Sequence, residues 1–189
     1  MPGDLGEMLK KHGVLREGHF LPTSGKHSDK YFEKFRILEQ PPVCEAFAKA
    51  VAYRHREDNV TVVCGPTTGG IIIAYEVARQ LGCRCVIAEK AELGRKIGRG
   101  FRLGPEDRVL VVDDVLTTGG SIKETLAAIE PSGAKIIGVG VFVDRSAGVD
   151  FGVPLFGAFR QQVATYEPSA CPLCAEGIPF EEPGRSGKK

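Results

Sequence analysis

The sequence lacks an excess of either charge, since its 189 residues include 25 Lys and Arg against 24 Asp and Glu. No global electrostatic field therefore draws the protein onto nucleic acid or an anionic membrane. It also lacks an apolar run of about 18 residues, the length that a membrane-spanning helix needs. The N-terminal stretch MPGDLGEMLKKHG has acidic residues where a secretory signal has positive charge and then an apolar segment. These absences predict a cytoplasmic protein with no nucleic-acid or membrane partner.

Internal repeats and a secreted disulfide framework are also missing. Of the six cysteines, Cys64 and Cys85 fall inside apolar runs that are typical of buried strands, where cysteine acts as a small core residue. At about 150 residues per domain, a chain of this length forms one compact domain. We therefore predict a single domain over residues 1–170 and a tail rich in Pro, Gly and Lys over residues 171–189.

Short β-branched runs alternate with helical patterns between about residues 43 and 166. Most of these runs are apolar along their whole length, as in a parallel sheet that helices cover on both faces. The predicted strands are 60–64, 84–88, 108–112, 135–143 and 162–166. The predicted helices begin after Pro41-Pro42, span residues 71–81, and begin at Ser121. This order predicts an open α/β sheet whose ligands lie beyond the carboxyl ends of the strands.

The most informative stretch is VLVVDDVLTTGGS, residues 109–121. An apolar strand leads to two adjacent carboxylates, Asp113 and Asp114. The loop that follows, at the start of a helix, consists of Thr117, Thr118, Gly119, Gly120 and Ser121. Its glycines let backbone N–H groups approach an anion, its hydroxyls donate hydrogen bonds, and the helix dipole faces the same point. Because carboxylates repel phosphate, the Asp pair must address sugar hydroxyls, a metal or a developing cation, and a phosphorylated sugar meets both requirements. The alternative is an N-capping serine after a glycine turn, beside a solvated Asp pair.

This stretch resembles the signature by which type I phosphoribosyltransferases bind 5-phosphoribosyl 1-diphosphate (PRPP). The resemblance implies that Asp113 and Asp114 contact the 2- and 3-hydroxyls of the ribose, and that residues 117–121 hold the 5-phosphate. It also implies an α/β fold with an open, mostly parallel sheet flanked by helices. A small hood would come from the N-terminal segment, about residues 1–40, and from the C-terminal part.

A second glycine-rich loop, GPTTGG at residues 65–70, follows the first predicted strand and resembles the diphosphate loop of the same family. The residues that would bind the diphosphate are Thr67, Thr68, Gly69 and Gly70. Two anion-binding loops on neighbouring strands suit a substrate whose phosphate and diphosphate groups are separated. A Pro/Gly-rich turn without a ligand is the alternative.

The N-terminal segment GHFLPTSGKHSDKYF, residues 18–32, resembles the F-x-L-x-S-G-x-x-S-x-x-Y motif of orotate phosphoribosyltransferases. Many of these enzymes have Lys where this chain has Thr23, and a Phe-Phe pair that stacks on the pyrimidine where it has Tyr31 and Phe32. The resemblance implies that Tyr31, Phe32 and Thr117 contact orotate.

The segment VDRSAG, residues 143–148, extends this resemblance. It implies that Arg145 holds the orotate carboxylate through two parallel hydrogen bonds, for which a guanidinium has the right geometry. The alternative is a surface arginine paired with Asp144 or Asp150.

The segment EKAELGRKIGRGF, residues 89–101, lies where the family has a mobile catalytic loop. Lys90 matches the basic position at the start of that loop, and either Arg95 or Lys96 takes the place of its essential lysine. The family also implies Mg²⁺, held mainly by PRPP near Asp113 and Asp114, and a homodimer in which the lid reaches the neighbouring site.

Together these resemblances predict an enzyme, a pentosyltransferase that forms orotidine 5-phosphate and diphosphate from PRPP and orotate in pyrimidine biosynthesis. One alternative is a phosphoribosyltransferase for a purine such as hypoxanthine, xanthine or adenine. The other is a PRPP-binding regulator without catalysis, although the chain shows no added nucleic-acid-binding face.

The pair Cys171-Pro-Leu-Cys174 has metal-ligand spacing, but no second C-x-x-C or H-x-x-x-H lies nearby. We therefore favour a reduced thiol pair over a structural zinc site, which a subunit interface would have to complete. The four histidines show no metal spacing, and His27 is predicted to be an exposed loop residue.

Overall fold

The computed structural model describes residues 4–22 and 25–181. The strands within these ranges are β1 (Leu15–Phe20), β2 (His27–Phe32), β3 (Val62–Pro66), β4 (Arg84–Lys90), β5 (Arg95–Ile97), β6 (Arg108–Leu116), β7 (Lys135–Asp144), β8 (Leu155–Arg160) and β9 (Thr165–Tyr166). The α-helices are α1 (Leu5–Lys11), α2 (Phe35–Glu39), α3 (Pro41–Arg54), α4 (Gly69–Leu81), α5 (Gly120–Ile129) and α6 (Pro172–Ala175). None of these helices has both the length and the apolar character that a membrane span requires.

The larger sheet has the strand order β5-β4-β3-β6-β7-β8. Every neighbouring pair is parallel except β4 and β5, which are antiparallel. The predicted open, mostly parallel sheet is therefore confirmed. The chain passes from β3 through α4 to β4 on one side, and then returns to place β6 on the other side of β3. This reversal leaves a crevice at the carboxyl ends of β3 and β6, the usual ligand position in open α/β sheets.

Both faces of this sheet are buried, which explains why its strands are apolar throughout. On β6, Leu110 and Val112 belong to the core cluster that includes residues of α3 and α4. Val109 and Val111 alternate with them and belong to the opposite cluster, with Ile122 and other residues. Successive side chains of a strand point to opposite faces, so a strand covered on both sides has no polar face.

One predicted strand, 162–166, is wrong as a member of this sheet. Only Thr165 and Tyr166 are extended, and they pair with His27 and Ser28 of β2. The outer strand of the main sheet is instead β8, whose sequence LFGAFR has no β-branched residue. The patterns used for prediction therefore could not identify it.

A small sheet of order β1-β2-β9 forms the hood. The described part of the tail contacts this sheet: the Glu181 N–H donates to the His19 carbonyl at 2.7 Å, and the Glu181 carboxylate pairs with Arg16 at 2.6 Å. The C-terminal residues thus join the N-terminal hairpin, as the resemblance implied. Thr23 and residues 182–189 lie outside the described residues.

Candidate active site

The two predicted phosphate loops line one cavity of about 320 Å³. Thr67 and Gly69 enter it from the loop after β3, and all of residues 117–121 enter it from the loop after β6. The strands that carry the loops are adjacent and parallel, so both loops emerge at the same edge of the sheet. The other two predicted diphosphate residues, Thr68 and Gly70, do not line the cavity. Gly70 is buried, and a Cβ added to it would lie 2.6 Å from the Pro66 side chain.

The second loop takes a shape that only glycine accepts easily. Gly119 has a φ of 80°, in the left-handed region. An added Cβ there would also lie 2.9 Å from the Phe151 ring. The chain then enters α5 at Gly120, and the first residues of this helix line the cavity. Since the first N–H groups of a helix have no partner within the helix, they are available to an anion here.

The Asp113 and Asp114 carboxylates lie between the two loops and are 8% and 4% exposed. Asp113 accepts a hydrogen bond from the Asp114 N–H at 2.9 Å, and Asp114 accepts one from the Val115 N–H at 2.6 Å. The Lys34 ammonium lies 3.0 Å from the second Asp114 oxygen. Gly69 adjoins the same carboxylate so closely that a Cβ there would collide with it.

Burial makes one of these carboxyl groups hard to ionise. The pKa of Asp113 is raised to about 6, first by desolvation and then by the neighbouring Asp114 charge. A backbone hydrogen bond, the Lys34 charge and the Ser121 hydroxyl oppose this shift without cancelling it. A cation or a group of hydroxyl donors in the cavity would therefore stabilise the ionised form of the carboxylate pair.

Arg95 joins the two loops. One terminal nitrogen of its guanidinium donates to the Thr67 carbonyl and hydroxyl and to the Ala88 carbonyl, each at 3.2 Å, and the other donates to the Ser121 hydroxyl at 3.0 Å. The Arg95 side chain is only 7% exposed, and its Nε lies 3.4 Å from the Glu124 carboxylate. A buried positive charge thus faces the point where both predicted anion-binding loops meet.

The predicted catalytic loop forms a hairpin in this structure, with β4 and β5 as its two strands. Register places Lys90 opposite Arg95, and Glu89 opposite Lys96. Since alternate residues of a strand face opposite sides, Lys96 lies on the face away from Arg95. The sequence left open whether Arg95 or Lys96 takes the place of the essential lysine. Arg95 lines the cavity, and Lys96 does not. Lys90 is exposed at the end of β4.

Arg145 lies beside this cavity, at the end of β7. Its N–H donates to the Leu116 carbonyl at 2.9 Å, one residue before Thr117. Its guanidinium lies over the Phe32 ring, 5.0 Å from the ring centroid. Desolvation lowers the pKa of Arg145, and its buried Nε donates to no protein acceptor among the described residues.

The alternative of a surface ion pair for Arg145 finds no support. Asp144 accepts hydrogen bonds from Ser146 and Arg160, and Asp150 accepts one from the Gly152 N–H. A half-buried arginine whose Nε has no acceptor among the described residues is a ready partner for a planar carboxylate. Tyr31 lies near enough to influence the Arg145 charge, while Phe32 is 6% exposed and forms part of the core.

Comparison with known proteins decides the family. The sequence profile of the phosphoribosyl transferase domain matches residues 36–152, which include both loops and the Asp pair. The chain belongs to the phosphoribosyltransferase family. It is 48% identical over 179 residues to an orotate phosphoribosyltransferase of Caldanaerobacter subterraneus subsp. tengcongensis, with 94% of each chain covered. It is 43% identical over 184 residues to that of Thermotoga maritima, with 97% of this chain and 98% of the relative covered.

The fold agrees with this assignment. The crystal structure of orotate phosphoribosyltransferase from Aeropyrum pernix matches this chain with a TM-score of 0.72 and 27% sequence identity. The match covers 82% of this chain and 93% of that chain.

Lys34 is the residue of this phosphoribosyltransferase site that sequence reasoning missed. It precedes α2 and lies two residues beyond Phe32, outside every quoted motif. Only the tertiary contact between the hood and the main sheet brings its ammonium to Asp114. A basic residue directly after the N-terminal motif was the one available signal.

Proposed function

We propose that this phosphoribosyltransferase is an orotate phosphoribosyltransferase. It would transfer the 5-phosphoribosyl group of PRPP to orotate and release diphosphate. The observation that carries the proposal is the single cavity in which two anion-binding loops flank a buried carboxylate pair. This order matches a ligand with phosphate at one end, diphosphate at the other and hydroxyl groups between them. The names of relatives that are 48% and 43% identical over nearly the whole chain support orotate as the acceptor.

Residues 117–121 would hold the 5-phosphate with the N–H groups at the start of α5 and the hydroxyls of the loop. Asp113 and Asp114 would accept hydrogen bonds from the ribose hydroxyls. As the bond between the anomeric carbon and the diphosphate oxygen breaks, positive charge grows on the ribose. The two carboxylates would then stabilise that charge from a position fixed before the reaction begins.

The leaving diphosphate would face the loop after β3. Thr67 and Gly69 line the cavity there, and the buried Arg95 guanidinium lies against Thr67. Arg95 would balance the negative charge that the diphosphate gains as it leaves. The β4–β5 hairpin, with Lys90 at its exposed end, would close over the site and exclude water from the ribosyl cation.

The site also fits Mg²⁺. Magnesium prefers oxygen ligands and is commonly held by one or two carboxylates together with substrate phosphates. Asp113 and Asp114 supply such oxygens inside the cavity, where burial raises the pKa of Asp113 to about 6. When bound with PRPP, the ion would neutralise charge on the diphosphate. The residues near it would be Asp113 and Asp114, with PRPP supplying most of its ligands.

Arg145 would select the base. Its unpaired Nε, its place beside Thr117 and its support by Phe32 suit a flat anionic ring that carries a carboxylate. The pyrimidine nitrogen would form the new bond to the anomeric carbon, and its proton would be lost. Tyr31, near Arg145, would contribute to the same pocket.

We further propose a homodimer with a shared lid, a cytoplasmic location and a place in pyrimidine biosynthesis. These follow from the proposed activity and from the family resemblance of residues 89–101.

The test is to incubate the purified protein with PRPP, Mg²⁺ and, separately, orotate, uracil, hypoxanthine, xanthine and adenine. Consumption of orotate alone is the expected result. Arg145→Ala should lower kcat/KM for orotate by about 10- to 100-fold, since a hydrogen bond to a charged group contributes about 1.5–3 kcal/mol. Arg56→Ala, which changes an exposed arginine that pairs with Glu57, should match the wild type. If the protein used a purine as substrate, and Arg145→Ala left that activity unchanged, the choice of orotate would be refuted.

A further inference from the structure

Four side chains that commonly bind metals converge at one end of the hood, and none of them lines the catalytic cavity. His19 lies near the end of β1 and His27 begins β2, while Cys171 precedes α6 and Cys174 lies within it. One ligand atom from each of the four lies within 4.8 Å of the others. The expectation that His27 is an exposed loop residue is wrong, since His27 begins β2 and pairs with Tyr166. His27 is only 6% exposed.

Four of the six distances among these atoms are close to those in a tetrahedral zinc site. With Zn–N bonds of about 2.0–2.1 Å and Zn–S bonds of about 2.3 Å, a tetrahedron separates two nitrogens by about 3.3 Å and a nitrogen from a sulfur by about 3.6 Å. His19 Nε2 lies 3.2 Å from His27 Nδ1, and 3.6 Å and 3.8 Å from the sulfurs of Cys171 and Cys174. The Cys174 sulfur lies 3.2 Å from His27 Nδ1.

The surroundings orient the ligands. His19 Nδ1 lies 2.7 Å from the Ile178 carbonyl, to which it donates, so the lone pair of Nε2 points at the cluster. This contact between the second ring nitrogen and a backbone carbonyl is the usual support of a metal-binding histidine. The Phe180 ring covers both imidazoles, with ring centroids 4.1 Å from His19 and 4.8 Å from His27. His19 and Cys171 are 1% and 4% exposed.

We propose that His19, His27, Cys171 and Cys174 bind one structural Zn²⁺ ion. Two nitrogen and two sulfur ligands in a tetrahedron are typical of zinc, and four protein ligands leave no open position for catalysis. Binding releases the protons of both thiols, and the two thiolates balance the charge of the ion. The fourfold set comes from one chain, so no subunit interface is needed to complete the C-x-x-C pair.

The ion would hold the C-terminal segment against the hood. It would also fix both ends of the segment from residue 20 to residue 26, because His19 and His27 flank it directly. This segment contains most of the N-terminal motif that resembles orotate phosphoribosyltransferases. The zinc site is thus separate from the catalytic residues, but it would hold the two histidines on either side of this part of the motif.

Zinc content is the first test, measured by mass spectrometry of metals on the full chain purified from zinc-supplemented culture without chelator. We expect about one zinc per chain in the wild type and in Cys83→Ser, whose half-buried thiol lies outside the cluster. The double variant Cys171→Ser/Cys174→Ser and the single variant His27→Gln should lose it. A wild type that neither contains nor takes up zinc would overturn the proposal, as would a double variant that keeps one zinc per chain.

Because a variant could lose zinc by failing to fold, the wild type provides a second test. After removal of zinc with a chelator, Co²⁺ should bind and give the visible absorption of a tetrahedral ion with thiolate ligands. Chelation should also lower Tm and expose Cys171 and Cys174 to alkylation, and added Zn²⁺ should reverse both effects. Octahedral Co²⁺ spectra, or a disulfide between Cys171 and Cys174 in the protein as purified, would overturn the site.

Discussion

The buried Asp113 carboxyl should make the stability of this protein depend on pH in a defined window. Its pKa in the folded chain is about 6, against an ordinary value of 3.8. Between these values the native chain keeps a proton that the unfolded chain has released. The free energy of unfolding therefore falls as pH rises from about 4 to about 6, and it stays lower above that window.

The magnitude follows from the size of the shift. A pKa difference of roughly 2 units, at 1.36 kcal/mol per unit, corresponds to about 3 kcal/mol. Asp113→Asn preserves the shape of the side chain and removes its titration. Relative to the wild type, the variant should therefore gain up to about 3 kcal/mol of stability between pH of about 4 and about 7.

The assay is urea unfolding of both proteins, without ligand, at a series of pH values across this window. Groups that titrate alike in the two proteins cancel in the difference. Because Asp114 loses a like-charged neighbour in the variant, the difference reports the carboxylate pair and not Asp113 alone. The control is Asp150→Asn, a change at an exposed position. Its free energy of unfolding should vary with pH in the same way as that of the wild type. Parallel curves for Asp113→Asn and the wild type would refute the reasoning.

Two further predictions concern catalysis. Asp114→Asn should lower kcat about 100- to 1000-fold, the usual cost of removing one preorganised charge, while circular dichroism stays that of the wild type; retained activity would contradict its role at the ribose. Arg95→Ala should lower kcat/KM for PRPP by about 10-fold or more, since charged hydrogen bonds contribute about 1.5–3 kcal/mol each. Lys96→Ala should lower kcat/KM for PRPP less than Arg95→Ala does, because the Lys96 side chain lies on the opposite face of β5. If steady-state kinetics showed the larger loss for Lys96→Ala, Arg95 would not be the cation used in turnover.

The parts of the fold that local patterns encode could be predicted from the sequence. Apolar runs gave the inner strands because both sheet faces are buried, and the loop glycines marked the helix starts at α4 and α5. The Asp113-Asp114 pair and residues 117–121 were predictable for the same reason, since one strand and one turn carry them all. The structure brings these residues into the same cavity as Thr67 and Gly69.

Contacts between segments that are distant in the sequence could not be predicted. Lys34 reaches Asp114 across 80 positions, and His19 meets Cys171 across 152. His19 carries no local signal, since a histidine in a strand is ordinary in any soluble protein. The one signal for Lys34 is its place shortly after the N-terminal motif. The sequence also could not decide between Arg95 and Lys96. The register of β5 against β4 determines which of these two neighbours faces the cavity.

The construction of the hood explains why a metal would be useful there. Its sheet consists of a six-residue hairpin pair and a third strand that contributes only the pairs His27–Tyr166 and Ser28–Thr165. A two-stranded hairpin is marginal in water unless further strands or packing support it, and two residues of β9 add little. Leu15 and Phe32 already pack the hairpin into the main core, and four bonds to one ion would add to that support by joining the hairpin to the C-terminal segment. The strand β2 that His27 begins also ends at Phe32, which supports Arg145, so this fixed hairpin holds one wall of the proposed orotate pocket.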